Sequence, residues 1–319
     1  MKKDDKNNIL VICSDQHSYS HLGCYGDPII NTPNLDRLAQ EGVRFDSAYC
    51  NSPLCVPSRM SLLTGKYPFK CETFGNGDIL DSRIPTIAHV LSGAGYHSVL
   101  SGRMHFKGQD QNHGFLERLV GDFLPYYFLN PWQPLPIGQR KEENPLPHGL
   151  GNASKPAPLQ TVGPGRTSLL DYDEEVTRQT CSWLNDYAQK TEQDDTPPFF
   201  MMVGYFAPHP PYIAPPELFD KYYELLDKSD IEGWEAENQI SIHDKFREKI
   251  QLDEVSHENL HKARAAYYGL CEFLDQNIGK VIDSLVDNEL MENTTIIYIS
   301  DHGEMLGEHG RWHKNCFYE

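Results

Sequence analysis

Cys55 opens the run Cys55-Val56-Pro57-Ser58-Arg59, a sulfur nucleophile with a guanidinium following it. Pro57 and Ser58 read as a helix start, Met60-Ser61-Leu62-Leu63 continues it, and Gly65 ends it. Cys55 therefore falls at or just before a helix N-terminus. Free N–H groups and the helix dipole there favour an anion such as sulfate or phosphate, and they favour thiolate over thiol. Arg59, in the first turn, can face the same anion. A lone cysteine is more often a small buried apolar residue, so physics alone leaves a reactive and an inert Cys55 equally open. The three residues between Cys55 and Arg59 are too few for a cysteine-phosphatase loop.

Four further segments place acids, bases and cations behind short apolar runs. Ile9-Leu10-Val11-Ile12-Cys13 leads to Asp15-Gln16-His17, and Tyr96-His97-Ser98-Val99-Leu100 leads to Arg103-Met104-His105. Phe199-Phe200-Met201-Met202-Val203 precedes His209, and Thr295-Ile296-Ile297-Tyr298-Ile299 precedes Asp301-His302. Runs of this kind are expected as buried strands of a largely parallel sheet. Taken singly, Asp15 and Asp301 read as helix caps, and His17, His97, His113 and His243 as surface or core residues. His313, beside Lys314, reads either way. Taken together at several strand ends, Asp15, Asp301 and Cys55 read as one site, because ligands of such sheets bind at the carboxyl ends of the strands.

Helical patterns lie between these strands. Thr32 and Pro33 give a cap and a first helical position for a helix through Leu38. Residues 84–91 form a second helix closed by Gly93 and Gly95, and 172–189 and 263–290 form longer amphipathic ones. Alternating strands and helices predict an α/β fold, a large, mostly parallel sheet flanked by helices on both faces. The chain reads as a single domain, 1–319. Its one irregular stretch, 121–168, holds nine prolines and is expected to be a substrate-shaping excursion or a flexible insert.

The bulk numbers narrow the function classes. A formal charge of −18 excludes a general nucleic-acid binder, so an anionic substrate needs a local cluster of cations. No run approaches a membrane span, and the apolar run at 9–13 is too short for a signal core, which predicts a cytoplasmic protein. The eight cysteines show no paired metal or redox spacing, and most are expected to be reduced and buried.

Cys55-Val56-Pro57-Ser58-Arg59 followed by Thr64-Gly65 resembles the signature of the formylglycine-dependent sulfatases, within the alkaline-phosphatase-like superfamily. Asp15, the segment from Thr32 to Leu38, and Gly42-Val43-Arg44-Phe45 are similar to the family's opening. The segment from Asp301 to Gly310 is similar to its second metal-binding stretch. Asp15-Gln16 and Gly102-Arg103-Met104-His105-Phe106 most resemble the choline-sulfatase and phosphonate-monoester-hydrolase branch.

The resemblance implies that Cys55 is oxidised to formylglycine by a formylglycine-generating enzyme or an anaerobic maturase. It implies one divalent metal held by Asp15, Asp301, His302 and the modified Cys55, with Gln16 as a further ligand or a neighbouring donor. Carboxylate oxygens point to Ca²⁺, with Mn²⁺ or Mg²⁺ as alternatives. The implied reaction is hydrolysis of a sulfate ester to an alcohol and sulfate. Asp301 is its base, His105 takes a proton as the aldehyde re-forms, and His209 binds sulfate or protonates the leaving group. Arg59, Arg103 and Lys314 surround the sulfate oxygens.

Two departures stand out. The family usually has lysine at Arg103, a charge-keeping change that removes a proton donor, for which Lys107 is a candidate substitute. The family also continues beyond Glu319 into a C-terminal subdomain, which this chain is expected to lack. Choline sulfate, an aryl sulfate and a sulfated sugar all remain open as substrates, as does oligomerisation. Phosphonate or phosphodiester hydrolysis on the same scaffold is the alternative activity, and an inactive binding homologue is the alternative class.

Overall fold

The computed structural model describes residues 6–122, 157–191, 196–227 and 250–318, together with 245, 247 and 248. Among the described residues seven strands are formed: β1 (Asn8–Asp15), β2 (His97–Gly102), β3 (Glu117–Val120), β4 (Gly163–Pro164), β5 (Phe199–Pro208), β6 (Ile213–Ala214) and β7 (Thr294–Ser300). Five of them make one sheet in the order β3-β2-β5-β1-β7. Every pairing in it is parallel. The two short strands β4 and β6 pair separately. All four apolar runs read from the sequence are strands of the main sheet, and β3 is the edge strand the sequence did not mark.

The helices are α1 (Pro33–Glu41), α2 (Cys55–Thr64), α3 (Pro68–Cys71), α4 (Ile87–Gly93), α5 (Ala157–Gln160), α6 (Ser168–Thr191), α7 (Pro216–Leu225) and α8 (His257–Asp287). Side-chain alternation along β5 separates two cores. Phe199, Met201 and Val203 pack with apolar residues of α1, α6, α7 and α8. Phe200 and Met202 face the other way, onto Val56, Met60 and Leu63 of α2 and Ala88 of α4. Strands apolar on both faces need helices on both, which gives the doubly wound α/β arrangement.

Several boundaries have local causes. Thr32 and Pro33 occupy the N-cap and first position of α1, but Thr32 does not cap the helix. The carboxylate of Asp275, on α8, does so by accepting from Asn34 N and Leu35 N. The second helix begins at Ile87 rather than at residue 84, because Thr86 and His89 form a reciprocal capping box. Of the proline-rich stretch, 123–156 lies outside the described residues, and its described end carries α5 and β4. Among the described residues no helix is long and apolar enough to cross a membrane.

The site-bearing ends of β2 and β5 are set by a glycine pair. Gly102 lies opposite Gly204, and the Gly204 carbonyl accepts from Arg103 N at 2.8 Å. Gly102 has φ +91, and a Cβ on Gly204 would sit 1.9 Å from the Arg103 carbonyl oxygen. Only glycine allows this approach, and it fixes where Arg103 leaves the sheet.

Candidate active site

The carboxyl ends of β1, β2, β5 and β7 converge on the N-terminus of α2. Asp15 ends β1, Arg103 follows β2, His209 follows β5, and Asp301 follows β7. Asp301 N continues the β1–β7 ladder by donating to Ser14 O, so the two aspartates are neighbours across it. Cys55 is the first residue of α2, after the extended Leu54. Gly65 closes that helix with φ 65, its N–H bonding Ser61 O. The helix thus begins at Cys55 itself, two residues before Pro57.

Asp15, Cys55, Asp301 and His302 are all buried and offer ligand atoms that lie within 4.8 Å of one another. His302 Nε2 is 3.2 Å from Cys55 Sγ, 3.8 Å from Asp15 Oδ1 and 3.6 Å from Asp301 Oδ1. Its Nδ1 donates to Gly303 O at 3.1 Å, which turns the Nε2 lone pair toward the cluster. Gln16 N donates to Asp301 Oδ1 at 3.0 Å, while Gln16 Oε1 is buried with no partner. Two carboxylates and an imidazole nitrogen form a donor set suited to a divalent cation, and the unsatisfied amide oxygen belongs to the residue whose N–H bonds one of those carboxylates.

Cations surround the same point. Lys314 Nζ lies 2.9 Å from Cys55 Sγ and 3.0 Å from His209 Nε2. The ammonium can only donate, so His209 Nε2 is an acceptor here, and its Nδ1 donates to Pro210 O at 2.7 Å. Arg103 pairs through Nε with Asp15 Oδ2 and donates from Nη2 to His105 Nδ1 at 3.0 Å. Its guanidinium lies 4.1 Å from the ring centre of Phe206. Lys107 is half-buried nearby, and burial, followed by Arg103, lowers its ammonium pKa.

Electrostatics follow from this crowding. Burial opposes ionisation of Cys55, yet Lys314 and His302 hold its thiol well below the ordinary value. Burial works against the Asp15 carboxylate too and is the largest influence, but Arg103, His209 and Arg59 together outweigh it and keep Asp15 ionised. Asp301 shifts upward, because burial and the Asp15 charge exceed the pull of Arg59. Burial and then Arg103 bring His105 down to about 4.

Two sequence expectations take a different shape. The anions that Arg59 faces are the protein's own carboxylates. Its Nε reaches Asp301 Oδ2 at 2.8 Å, Nη2 reaches Asp15 Oδ2 and Ser14 O, and Nη1 reaches Arg103 O and Met104 Sδ. Fully buried and with every donor engaged, it stands behind the carboxylates and holds them. The resemblance makes His105 a proton acceptor. Its Nδ1 lone pair is occupied by Arg103, so the neutral ring carries its proton on Nε2 and offers residue 55 an N–H.

Other residues act here without having been marked as candidates. Asp122 accepts from the backbone N–H groups of Met104, His105 and Phe106, pinning the loop after β2. Asn76 accepts from Val56 N at 3.0 Å, occupying one of the open N–H groups of α2. Asp173, on α6, accepts from Phe206 N and Ala207 N at the end of β5. Glu304 lies within the Asp301–Gly310 motif, and the resemblance implies no role for it. Of the other histidines, His17 and His113 are buried and His97 pairs with Glu117 at the surface, while His243 lies outside the described residues. All eight cysteines are free, but only Cys13, Cys55, Cys71 and Cys271 are buried.

The sulfatase family profile matches residues 7–319. This chain belongs to the sulfatase family. It is 33% identical to the choline-sulfatase of Rhizobium meliloti over 98% of its own length and 60% of that protein. It is 28% identical to human iduronate 2-sulfatase, over 97% of this chain and 57% of the relative. The structure of the phosphonate monoester hydrolase of Agrobacterium radiobacter superposes with a TM-score of 0.68 at 24% identity, covering 98% of this chain and 66% of that one. That likeness carries the fold, an alkaline-phosphatase-like sheet with flanking helices. The chain spans about 60% of the length of the choline-sulfatase it matches.

Proposed function

We propose that this sulfatase-family chain hydrolyses a sulfate ester to an alcohol and inorganic sulfate, with residue 55 as the nucleophile. One observation carries the reading: a buried Asp15–Cys55–Asp301–His302 cluster lies directly under the Lys314 ammonium, which is 2.9 Å from Cys55 Sγ. In the matured protein an oxygen of residue 55 takes the place of that sulfur. Oxidised to formylglycine by a maturase, residue 55 supplies a hydrated aldehyde, one hydroxyl to attack sulfur and a second to release sulfate as the C=O re-forms. A divalent cation among Asp15, Gln16, Asp301, His302 and residue 55 supplies Lewis-acid charge. We infer Ca²⁺ from the carboxylate and amide oxygens, with Mn²⁺ the alternative favoured by the imidazole.

The chain's own residues do the rest. Arg59 fixes the spacing of Asp15 and Asp301 without spending a donor on substrate. Lys314 sets a positive charge at the residue 55 side chain and keeps its orientation through His209. Arg103 holds Asp15 on one edge and presents His105 on the other, so His105 offers an N–H to negative charge developing there. Asp301, the carboxyl that burial pushes upward, is the group suited to accept a proton from residue 55. The alcohol portion is proposed to be small, on the likeness to a choline-sulfatase.

The test is a panel of choline sulfate, an aryl sulfate and an aryl phosphonate monoester, assayed on protein made in a maturase-bearing host. Sulfate release is expected, with the peptide containing residue 55 about 18 Da lighter than its cysteine form. Cys55→Ala should lower turnover by at least about 1,000-fold while the fold persists. Full activity with an unmodified thiol, or with alanine, refutes the nucleophile assignment. Faster turnover of the phosphonate would transfer the reading to phosphonate hydrolysis.

A further inference from the structure

Glu304 is fully buried beside Gln16, and four donors converge on it. Its Oε1 accepts from His313 N at 2.6 Å and from Leu306 N at 3.1 Å. Its Oε2 accepts from Tyr212 Oη at 2.9 Å and from Gln16 Nε2. An ionised carboxylate has about four lone-pair positions and no proton to give, so this set uses all of them. Any group facing it must present an N–H or an O–H.

That requirement decides the orientation of the Gln16 amide. A glutamine amide turned end for end exchanges a donor for an acceptor in almost the same volume. Facing the Glu304 carboxylate, only the –NH₂ end is acceptable, so the oxygen is the end left over. Gln16 Oε1 is indeed the buried atom without a partner, on a residue whose own N–H bonds Asp301 Oδ1. A cation accepts an amide oxygen as ligand and rejects an –NH₂ group.

The other oxygen of Glu304 organises the opposite wall. By taking His313 N and Leu306 N it ties together the two ends of the turn that runs from Met305 to Lys314. The bond to His313 N falls one residue before Lys314, whose Nζ meets Cys55. Resting on the metal-dependent reading above, we infer that Glu304 is a positioning residue: it fixes the Gln16 amide so that its oxygen is available to the cation, and through its second oxygen it anchors the turn carrying Lys314.

The experiment measures Ca²⁺ and Mn²⁺ affinity by calorimetry on the whole chain, alongside elemental analysis and the metal-induced shift in Tm. Glu304→Gln is expected to weaken metal binding by about 10- to 100-fold, the range for loss of a residue that orients a ligand. Gln16→Glu alone should also weaken it, because the new carboxylate faces Glu304, although a carboxylate is otherwise the stronger ligand. Glu304→Gln combined with Gln16→Glu should recover affinity to within a few-fold of the parent, since a carboxylate shows the cation an oxygen whichever way it turns. A purely structural Glu304 predicts no such recovery. If Gln16→Glu alone binds metal more tightly than the parent, the orientation argument is overturned while the sulfatase reading stands. If the parent chain holds no divalent metal, both fall together.

Discussion

Arg103 serves three partners with one guanidinium: Asp15 through Nε, His105 through Nη2, and the face of Phe206, 4.1 Å from the ring centre. A lysine ammonium keeps the charge but cannot hold a carboxylate, donate to an imidazole and lie flat on a ring at once. Arg103→Lys should therefore lower kcat/KM on an aryl sulfate by about 10- to 100-fold, about 1.4–2.7 kcal/mol. Phe206→Leu should cost less in the Arg103→Lys background than in the parent, giving a measurable coupling energy in a double-mutant cycle. Unchanged kcat/KM in Arg103→Lys would show that charge alone suffices there. The presence of Arg103 was plain in the sequence, but its reason was not. Phe206 lies on another strand, and nothing in the run Phe199–Val203 announces that a ring beyond its end receives a cation. Cys55, Asp15 and Asp301 were legible for the opposite reason. Each follows or begins a local pattern, an apolar strand or a helix start, that reports its own position. Arg59 marks the limit: its place in the first turn of α2 was readable, while the direction of its guanidinium depends on two aspartates from other strands.

At the level of elements, the geometry of the site depends on how closely β2 and β5 approach at their carboxyl ends. Gly204 has the Arg103 carbonyl oxygen 1.9 Å from where a Cβ would stand, and both partners are backbone. No side chain can swing aside to relieve that contact. Gly204→Ala should destabilise the protein by about 3 kcal/mol, within the range for strained core substitutions, and should lower turnover beyond what that loss explains by displacing Arg103. Gly93→Ala supplies the contrast. Gly93 is the last residue of α4, with nothing within 4 Å of an added Cβ, so it should be neutral or stabilising by up to about 1 kcal/mol. Urea denaturation of the two variants reads the difference, and equal effects would count against the close-approach argument. The sequence made both glycines visible but not this distinction, because it rests on which strand lies alongside. The same holds for the cap of α1, which the sequence placed at Thr32 and which Asp275 supplies from α8.

For the molecule as a whole, stability couples to pH through its buried carboxyls, and Asp173 is the clearest case. It joins α6 to the end of β5 by accepting from Phe206 N at 2.7 Å and Ala207 N at 2.8 Å. Burial pushes its pKa up to about 7, against the pull of those two N–H groups. In the unfolded chain it ionises near the ordinary carboxylate value of about 4. Between these values the native state binds more protons than the unfolded state, so the contribution of Asp173 to stability is complete below about pH 4. It is lost as pH rises through about 7. Carboxyls such as Glu117, which its partners His97 and Trp183 hold low against burial, run the other way and lose their contribution as pH falls. With a net charge of −18, self-repulsion at neutral pH adds to the side of Asp173. Asp173→Asn separates it from the rest. The amide is close in shape to the protonated acid that Asp173 is below its pKa, with one good acceptor oxygen in each, so the substitution removes the titration and little else. At pH 5 the variant should therefore lie within about 1 kcal/mol of the parent. By pH 8 the parent has given up its own contribution and the variant should be the more stable of the two. Urea denaturation at the two pH values tests this. A difference that stays constant, or moves in the parent's favour by pH 8, would mean that Asp173 titrates as an ordinary carboxylate and that its two backbone bonds outweigh its burial.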